Sequence, residues 1–397
     1  WKKAAGVAAQ AEADIVLTDG DMSAIDRFAL TAPGASVDGR AAVDPETGAW
    51  RRIDARRLRL GERTDLALSV IRQADGGLHI DARGAAVDLA PLIAGRDEDD
   101  ASTETPAEAE PAGPPIAVVA DISRVWVSDA LPIDRVAGHV QWQDGPGPGD
   151  LHGLVGGTAP VRYLASEGGG RLHVALTGQD FGRTLRAAGL FDTIAGGPFT
   201  LSATRPLTAP GASSPGAGDA RYEGKLDVEA FRLVKAPLAA RLFAAAALTG
   251  LADLASADEG VAFAGLNAPF TYGGGKLYLE PGRAFGSSVG MTWRGGLDFR
   301  AERADVAGTL VPFYAVNRVL GAVPLLGDIL TGGEGGGLFA VTYALKGPLD
   351  EPDLSVNPLS ILAPGFLRGL FGAITDGKRE AWDPAADPAW QDSGKAN

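Results

Sequence analysis

Short runs of alternating apolar and polar residues, each ended after about 10–13 residues by a Gly- or Pro-containing turn, fill most of this chain and leave little room for helices. The pattern is clearest over 49–60 (AWRRIDARRLRL), 64–73 (TDLALSVIRQ) and 77–86 (GLHIDARGAA), three strands of one meander. Their junctions are Gly61-Glu62-Arg63 and Ala74-Asp75-Gly76, the second a good hairpin signal. In the middle strand Leu66, Leu68 and Val70 share one face and Asp65, Ala67 and Ser69 the other, because successive strand side chains point to opposite sides. A strand is predicted at 116–128, where Val118, Ile122, Val125 and Val127 supply the apolar positions. More are predicted at 133–143, 160–166, 170–179, 197–205, 219–231, 260–272, 275–283, 288–300, 303–311, 337–347 and 351–356. No strand–helix–strand alternation recurs, so the sheet is expected to be antiparallel. The 55 Gly and 26 Pro among 397 residues suit such a turn-rich β chain.

The net charge of -14 argues against a nucleic-acid partner and against general attraction to anionic headgroups. Cys is absent, which excludes a disulfide framework and thiolate metal sites. Residues 94–115 (AGRDEDDASTETPAEAEPAGPP) have almost nothing to bury and read as an acidic disordered linker. Asp97, Glu98, Asp99 and Asp100 within it lack the glycine and ligand spacing of a calcium loop. Residues 206–218 form a smaller linker and 373–397 a polar tail. The chain thus divides into a β segment at 1–93, the linker at 94–115, a larger β region at 116–372 and the tail. It starts at Trp1, not Met, as expected of a piece of a longer protein.

Helices are predicted at 181–190, ended by Gly189, and at 237–256, where Pro237 suits the first turn. In the latter Leu238, Leu242, Leu248, Leu251 and Leu254 follow approximate helical spacing. Two short helices are predicted at 313–321 and 323–330, split by Gly321 and Pro324, and a last one at 358–371 carrying Phe366, Leu367, Leu370 and Phe371. The run 311–330 is long enough to span a bilayer, but Asn317 and Arg318 sit mid-segment. A mid-bilayer Arg costs roughly 2.5 kcal/mol or more, so a broken amphipathic pair fits better than a span. Such helices either cap the sheet's core or rest at a membrane interface, and the helix at 237–256 carries the same two readings.

Motifs that would carry chemistry fail on context. Gly286-Ser287-Ser288-Val289-Gly290 matches a nucleophile elbow, but both flanks read as strands and the last histidine, His173, lies upstream. The glycine run 332–337 precedes a strand, not the helix a phosphate loop opens. His79, His139, His152 and His173 lie apart at no metal-ligand spacing. No catalytic, cofactor or metal site is expected.

The C-terminal quarter carries an ordered string of small motifs. It runs from Leu310-Val311-Pro312-Phe313-Tyr314-Ala315-Val316-Asn317 through Val323-Pro324-Leu325-Leu326-Gly327 and Gly337-Leu338-Phe339-Ala340-Val341-Thr342-Tyr343. It goes on in Gly347-Pro348-Leu349-Asp350-Glu351-Pro352, Val356-Asn357-Pro358-Leu359-Ser360 and Leu362-Ala363-Pro364-Gly365-Phe366-Leu367-Arg368. With Phe231-Arg232-Leu233-Val234-Lys235-Ala236-Pro237-Leu238-Ala239 and Leu248-Thr249-Gly250-Leu251 upstream, this resembles the C-terminal region of the bacterial AsmA-like proteins, in the branch that includes YhdP. The likeness covers about residues 181–372; the earlier strands share only its β-repeat character.

The resemblance implies a non-enzymatic protein of the Gram-negative envelope. Its periplasmic part would be a long curled β-sheet with an apolar groove, and a missing N-terminal helix would anchor it in the inner membrane. Phospholipid acyl chains would slide along the groove between inner and outer membranes, with an envelope protein as a possible partner at the C-terminal end. A structural or assembly role for outer-membrane proteins is the alternative. Candidate groove or membrane contacts are Leu66, Leu68, Val70, Val125, Leu242, Phe243, Phe313, Tyr314, Leu320, Leu325, Leu326, Phe366, Leu367 and Phe371. Elementary physics agrees: an antiparallel sheet with one apolar face must bury that face or fill it with ligand. About 15 strands at ~4.8 Å spacing give roughly 70 Å along the stacking direction.

Overall fold

A computed structural model of the chain describes residues 8–93, 114–143, 145–207, 221–246, 249–312 and 341–357. The protein is mainly β: among the described residues the strands belong to one large mixed sheet of 20 strands, more than the spacing argument counted, and the sheet does not close. The chain separates into two compact units, residues 1–192 with 202–220, and residues 193–201 with 221–397.

The first unit contains β1 (Gln10–Thr18), β2 (Asp21–Ala32), β3 (Ala35–Val43), β4 (Trp50–Leu60), β5 (Thr64–Arg72) and β6 (Leu78–Asp88). It continues with β7 (Ile116–Trp126), β8 (Ile133–Trp142), β9 (Pro146–Val155), β10 (Ala159–Gly168), β11 (Arg171–Gly178) and a short helix α1 (Phe181–Ala187). β1 to β6 form one antiparallel meander and β7 to β11 another. Between them the antiparallel expectation fails. β6 and β7 run parallel, from Leu78 opposite Ile116 to Asp88 opposite Trp126. Parallel neighbours need a connection of about a dozen residues or more, and the acidic Pro/Ala-rich stretch supplies it. That stretch therefore links two paired strands of one unit, while the boundary between the units falls at Asp192.

Bulges bend the first unit's strands. Register shifts fall between Ile25 and Phe28, Ala55 and Leu58, and Asp134 and Ala137, each adding residues to one strand of a pair. Close glycines let the backbones approach. A Cβ on Gly84 would meet Leu66 Cα at 2.5 Å, and one on Gly149 would meet His139 O at 2.5 Å. The same need explains β9, whose sequence PGPGDLHGLV carries the Pro and Gly of a loop and gave no strand signal. Strands β1 to β3 were likewise assigned only as general β-repeat material.

The outward face of this unit is laced with Arg–Asp pairs across neighbouring strands. Asp54 Oδ2 accepts from Arg40 Nε at 3.0 Å, Asp65 Oδ2 from Arg57 Nη2 at 2.7 Å, and Asp134 Oδ1 from Arg124 Nε at 2.9 Å. Such exposed pairs stabilise little singly. Their contact with Arg57, Arg51 and Arg162 nonetheless holds Asp65, Asp44 and Asp150, respectively, below the usual carboxylate range. A depressed native carboxylate means that the unfolded chain takes up protons first on acidification. Stability is thus present above about pH 4 and declines as pH falls below it. Urea midpoints at pH 7, 4 and 3 are expected to drop mainly in the last interval.

The second unit contains β12 (Ile194–Gly196), the start of β13 (Phe199–Pro206), β14 (Tyr222–Leu233), α2 (Pro237–Ala245) and α3 (Thr249–Ser256). It ends with β15 (Val261–Gly273), β16 (Lys276–Phe285), β17 (Val289–Asp298), β18 (Arg303–Pro312), β19 (Val341–Pro348) and β20 (Asp353–Asn357). β12 pairs with β14, and β14 to β20 follow as an antiparallel meander. The single helix predicted at 237–256 is two helices, α2 and α3, joined by Ala236 N donating to Ala255 O at 2.8 Å. The Phe231 and Phe263 rings stack 5.0 Å apart in the interior, beside buried Val228 and Val261.

Candidate functional site

The bent inner face of β4 to β11 encloses a cleft of about 1230 Å³ in the first unit. The strand period places its lining. On β5 Leu66 and Leu68 point inward, on β6 Ile80 and Ala82, on β7 Val118 and Ala120, while the intervening Ala67, Asp81 and Val119 take the other face. Ala82, Ile122 and Val125 are buried and form the floor. Leu68, Ala120 and Val136 pack against that floor but remain only half-buried. Exposed aliphatic surface of this extent is unfavourable by about 25 cal/mol per Å², so the face is poised to be covered. The volume exceeds the roughly 300–1,000 Å³ of ordinary small-molecule sites.

One end of the cleft is polar. Arg63, in the β4–β5 turn, places Nη1 2.5 Å from Asp129 Oδ1 and 3.9 Å from Asp88 Oδ2. Its guanidinium carbon lies 4.4 Å over the Trp126 ring. The β7–β8 loop that carries Asp129 also holds α1. Ser128 Oγ donates to Ala187 O at 2.9 Å at the helix C-terminus, where Gly189 adopts φ +74°. At the helix start Asp180 Oδ1 accepts from Arg183 N at 2.9 Å, the N-cap bond. Ala187 packs with Val155 and Ala159, so α1 seats on β9 and β10 beside this end. At the opposite strand ends Arg72 stacks 4.3 Å over Trp50.

Of the residues singled out in the sequence, Leu66, Leu68 and Val125 line the cleft, and Val70 lies opposite Ile80, which also lines it. Leu242 and Phe243 are elsewhere, buried to 5% and 1% exposure in the second unit, where they pack as core. Phe313, Tyr314, Leu320, Leu325, Leu326, Phe366, Leu367 and Phe371, with the helices predicted for them, lie outside the described residues. Ile80, Ala120 and Val136 went unselected although the alternation already put them on strands. Arg63 and Asp129 stand 66 positions apart in two turns, a separation without local signal.

The Gly286–Gly290 segment is a hairpin turn: Gly286 N donates to Val289 O at 2.9 Å and Phe285 pairs with Gly290. Among the described residues no three His, Asp or Glu side chains are grouped to hold a metal, and no helix is long and apolar enough to cross a membrane. No family model, curated protein or solved structure matches this chain.

Proposed function

We propose that the first unit carries phospholipid by its acyl chains, as a module of a non-enzymatic, bridge-like transporter between the inner and outer membranes of a Gram-negative envelope. This is the role implied by the AsmA-like resemblance of the C-terminal motifs, with a periplasmic location and an inner-membrane anchor outside this chain. The observation that carries the reading is the aliphatic cleft of about 1230 Å³, whose half-buried Leu68, Ala120 and Val136 are left uncovered by the residues described. Each buried methylene contributes about 0.8 kcal/mol, so ten stabilise a chain by about 8 kcal/mol. That is a micromolar scale before association costs, strong enough to hold a chain and weak enough to release it. A site for acyl chains needs no point charges on its floor, and the charged groups here lie on the outward face and at one mouth.

The test is site-specific photocrosslinking from Leu68, Val118 and Val136 in cells, with mass spectrometry of the adducts. Phospholipid adducts are expected at all three positions and not at outward-facing Ala67. Phospholipid at none of the three would sink the proposal, and protein adducts in its place would favour an assembly role.

A further inference from the structure

We infer that the polar mouth at Arg63 is a headgroup site selective for a phospholipid whose phosphate carries its own primary ammonium, such as phosphatidylethanolamine. The inference rests on the lipid reading of the cleft and adds which lipid it takes. The mouth combines two surfaces that a lipid needs side by side. Leu60 and Leu92 form an apolar lip, both well exposed, and both line the cleft. Arg63, Glu62, Asp88 and Asp129 line it at the same end.

The chemistry of these groups is specific. Arg63 is the cation at the lip, 39% exposed, with its plane fixed by Trp126 and by the two aspartates. A guanidinium so held presents its remaining N–H donors in a fixed fork, the geometry that suits a phosphate. Around it stand three carboxylates, Glu62, Asp88 and Asp129, so the four groups together carry a charge of about −2. An anionic headgroup, whose phosphate is accompanied at most by neutral hydroxyls, brings no cation to that net negative field and is disfavoured. A headgroup with an ammonium three bonds beyond the phosphate oxygen satisfies both signs: phosphate on Arg63, ammonium on Asp129, which is 88% exposed and therefore reachable. A primary ammonium has three N–H donors for those carboxylates, whereas a quaternary one has none.

The experiment places a photocrosslinker at Leu60 and exposes the purified chain to vesicles of equal parts phosphatidylethanolamine and phosphatidylglycerol, then to vesicles in which phosphatidylcholine replaces the former. Phosphatidylethanolamine adducts are expected to exceed phosphatidylglycerol adducts at least threefold. The double variant Glu62→Gln with Asp129→Asn should bring the ratio close to one, and Arg63→Ala should lower total adducts at Leu60 while those at Leu68 persist. Phosphatidylcholine should show less than half the enrichment of phosphatidylethanolamine. Adducts at Leu60 that mirror the vesicle composition in the unmodified chain overturn the headgroup site while leaving acyl binding intact. Absence of lipid adducts at both Leu60 and Leu68 overturns the lipid reading itself, and the headgroup site with it.

Discussion

Replacing Gly308 by valine is expected to abolish cooperative folding of the second unit. Gly308 sits on β18 between Trp293 of β17 and Tyr343 of β19. A Cβ there would fall 1.9 Å from Thr292 O and 2.6 Å from the Tyr343 hydroxyl oxygen. The Tyr343 ring lies across the glycine so that its hydroxyl can donate to Thr292 O at 2.9 Å, and burial pushes the ionisation of that hydroxyl up. Any side chain at Gly308 must displace either a ladder carbonyl or this ring, and both are hemmed in by paired strands. Overpacking a core usually costs about 1–3 kcal/mol, and a contact this short, with two further methyls, belongs at or beyond the top of that range. Tyr343→Phe is the control: it keeps the ring over the glycine and loses one hydrogen bond, about 1 kcal/mol. Urea unfolding followed by proteolysis within residues 221–312 reads both. A wild-type midpoint for Gly308→Val would show that the ring–glycine contact does not set the strand spacing.

The same device recurs, and it bears on what a sequence of this kind discloses. The Phe28 ring lies over Gly39, Phe285 over Gly265 and Trp293 over Gly282, and in every case the two residues are direct cross-strand partners. An aromatic covering a neighbour's glycine fills the gap left by the missing side chain and lets the sheet bend there. None of this is visible along the chain, because the partners are brought together by register. What the chain does disclose is local. Alternation over 64–73 gave β5 and its inward Leu66 and Leu68, and Gly189 marked the end of α1. β9 was hidden because its glycines serve close approach between strands, although the same residues usually signal a loop. The parallel step from β6 to β7 was hidden because strand pairing skips the whole connection between them. The cleft falls between these cases: its lining positions follow from the period of two, but its volume depends on bulges that no run of residues announces.

Leu68→Asp is expected to leave the first unit folded while removing its acyl cargo. Leu68 is flanked across the ladder by Ala55 on β4 and Ala82 on β6, so its side chain stands above small neighbours and is only half-buried. In a cleft open to water, a carboxylate at that position keeps much of its hydration, and its effect on folding should stay within about 1–2 kcal/mol. With an acyl chain alongside, the same carboxylate must give up that hydration to methylenes that offer no hydrogen bond. The loss is several kcal/mol, or neutralisation of the group. Taking about 2.7 kcal/mol as a lower figure, lipid occupancy at subsaturating lipid should fall about 100-fold. Ile122→Asp supplies the contrast, since Ile122 is 5% exposed within the floor and a charge there has no water to keep. It should unfold the unit outright. Thermal melts paired with adduct yields from Val118 separate the two behaviours. If Leu68→Asp unfolds the unit as Ile122→Asp does, the inner face of β4 to β11 is an ordinary closed core. If Leu68→Asp melts like the unmodified chain and loses the adduct, that face is covered by lipid in use, and the residue marks where the chain lies.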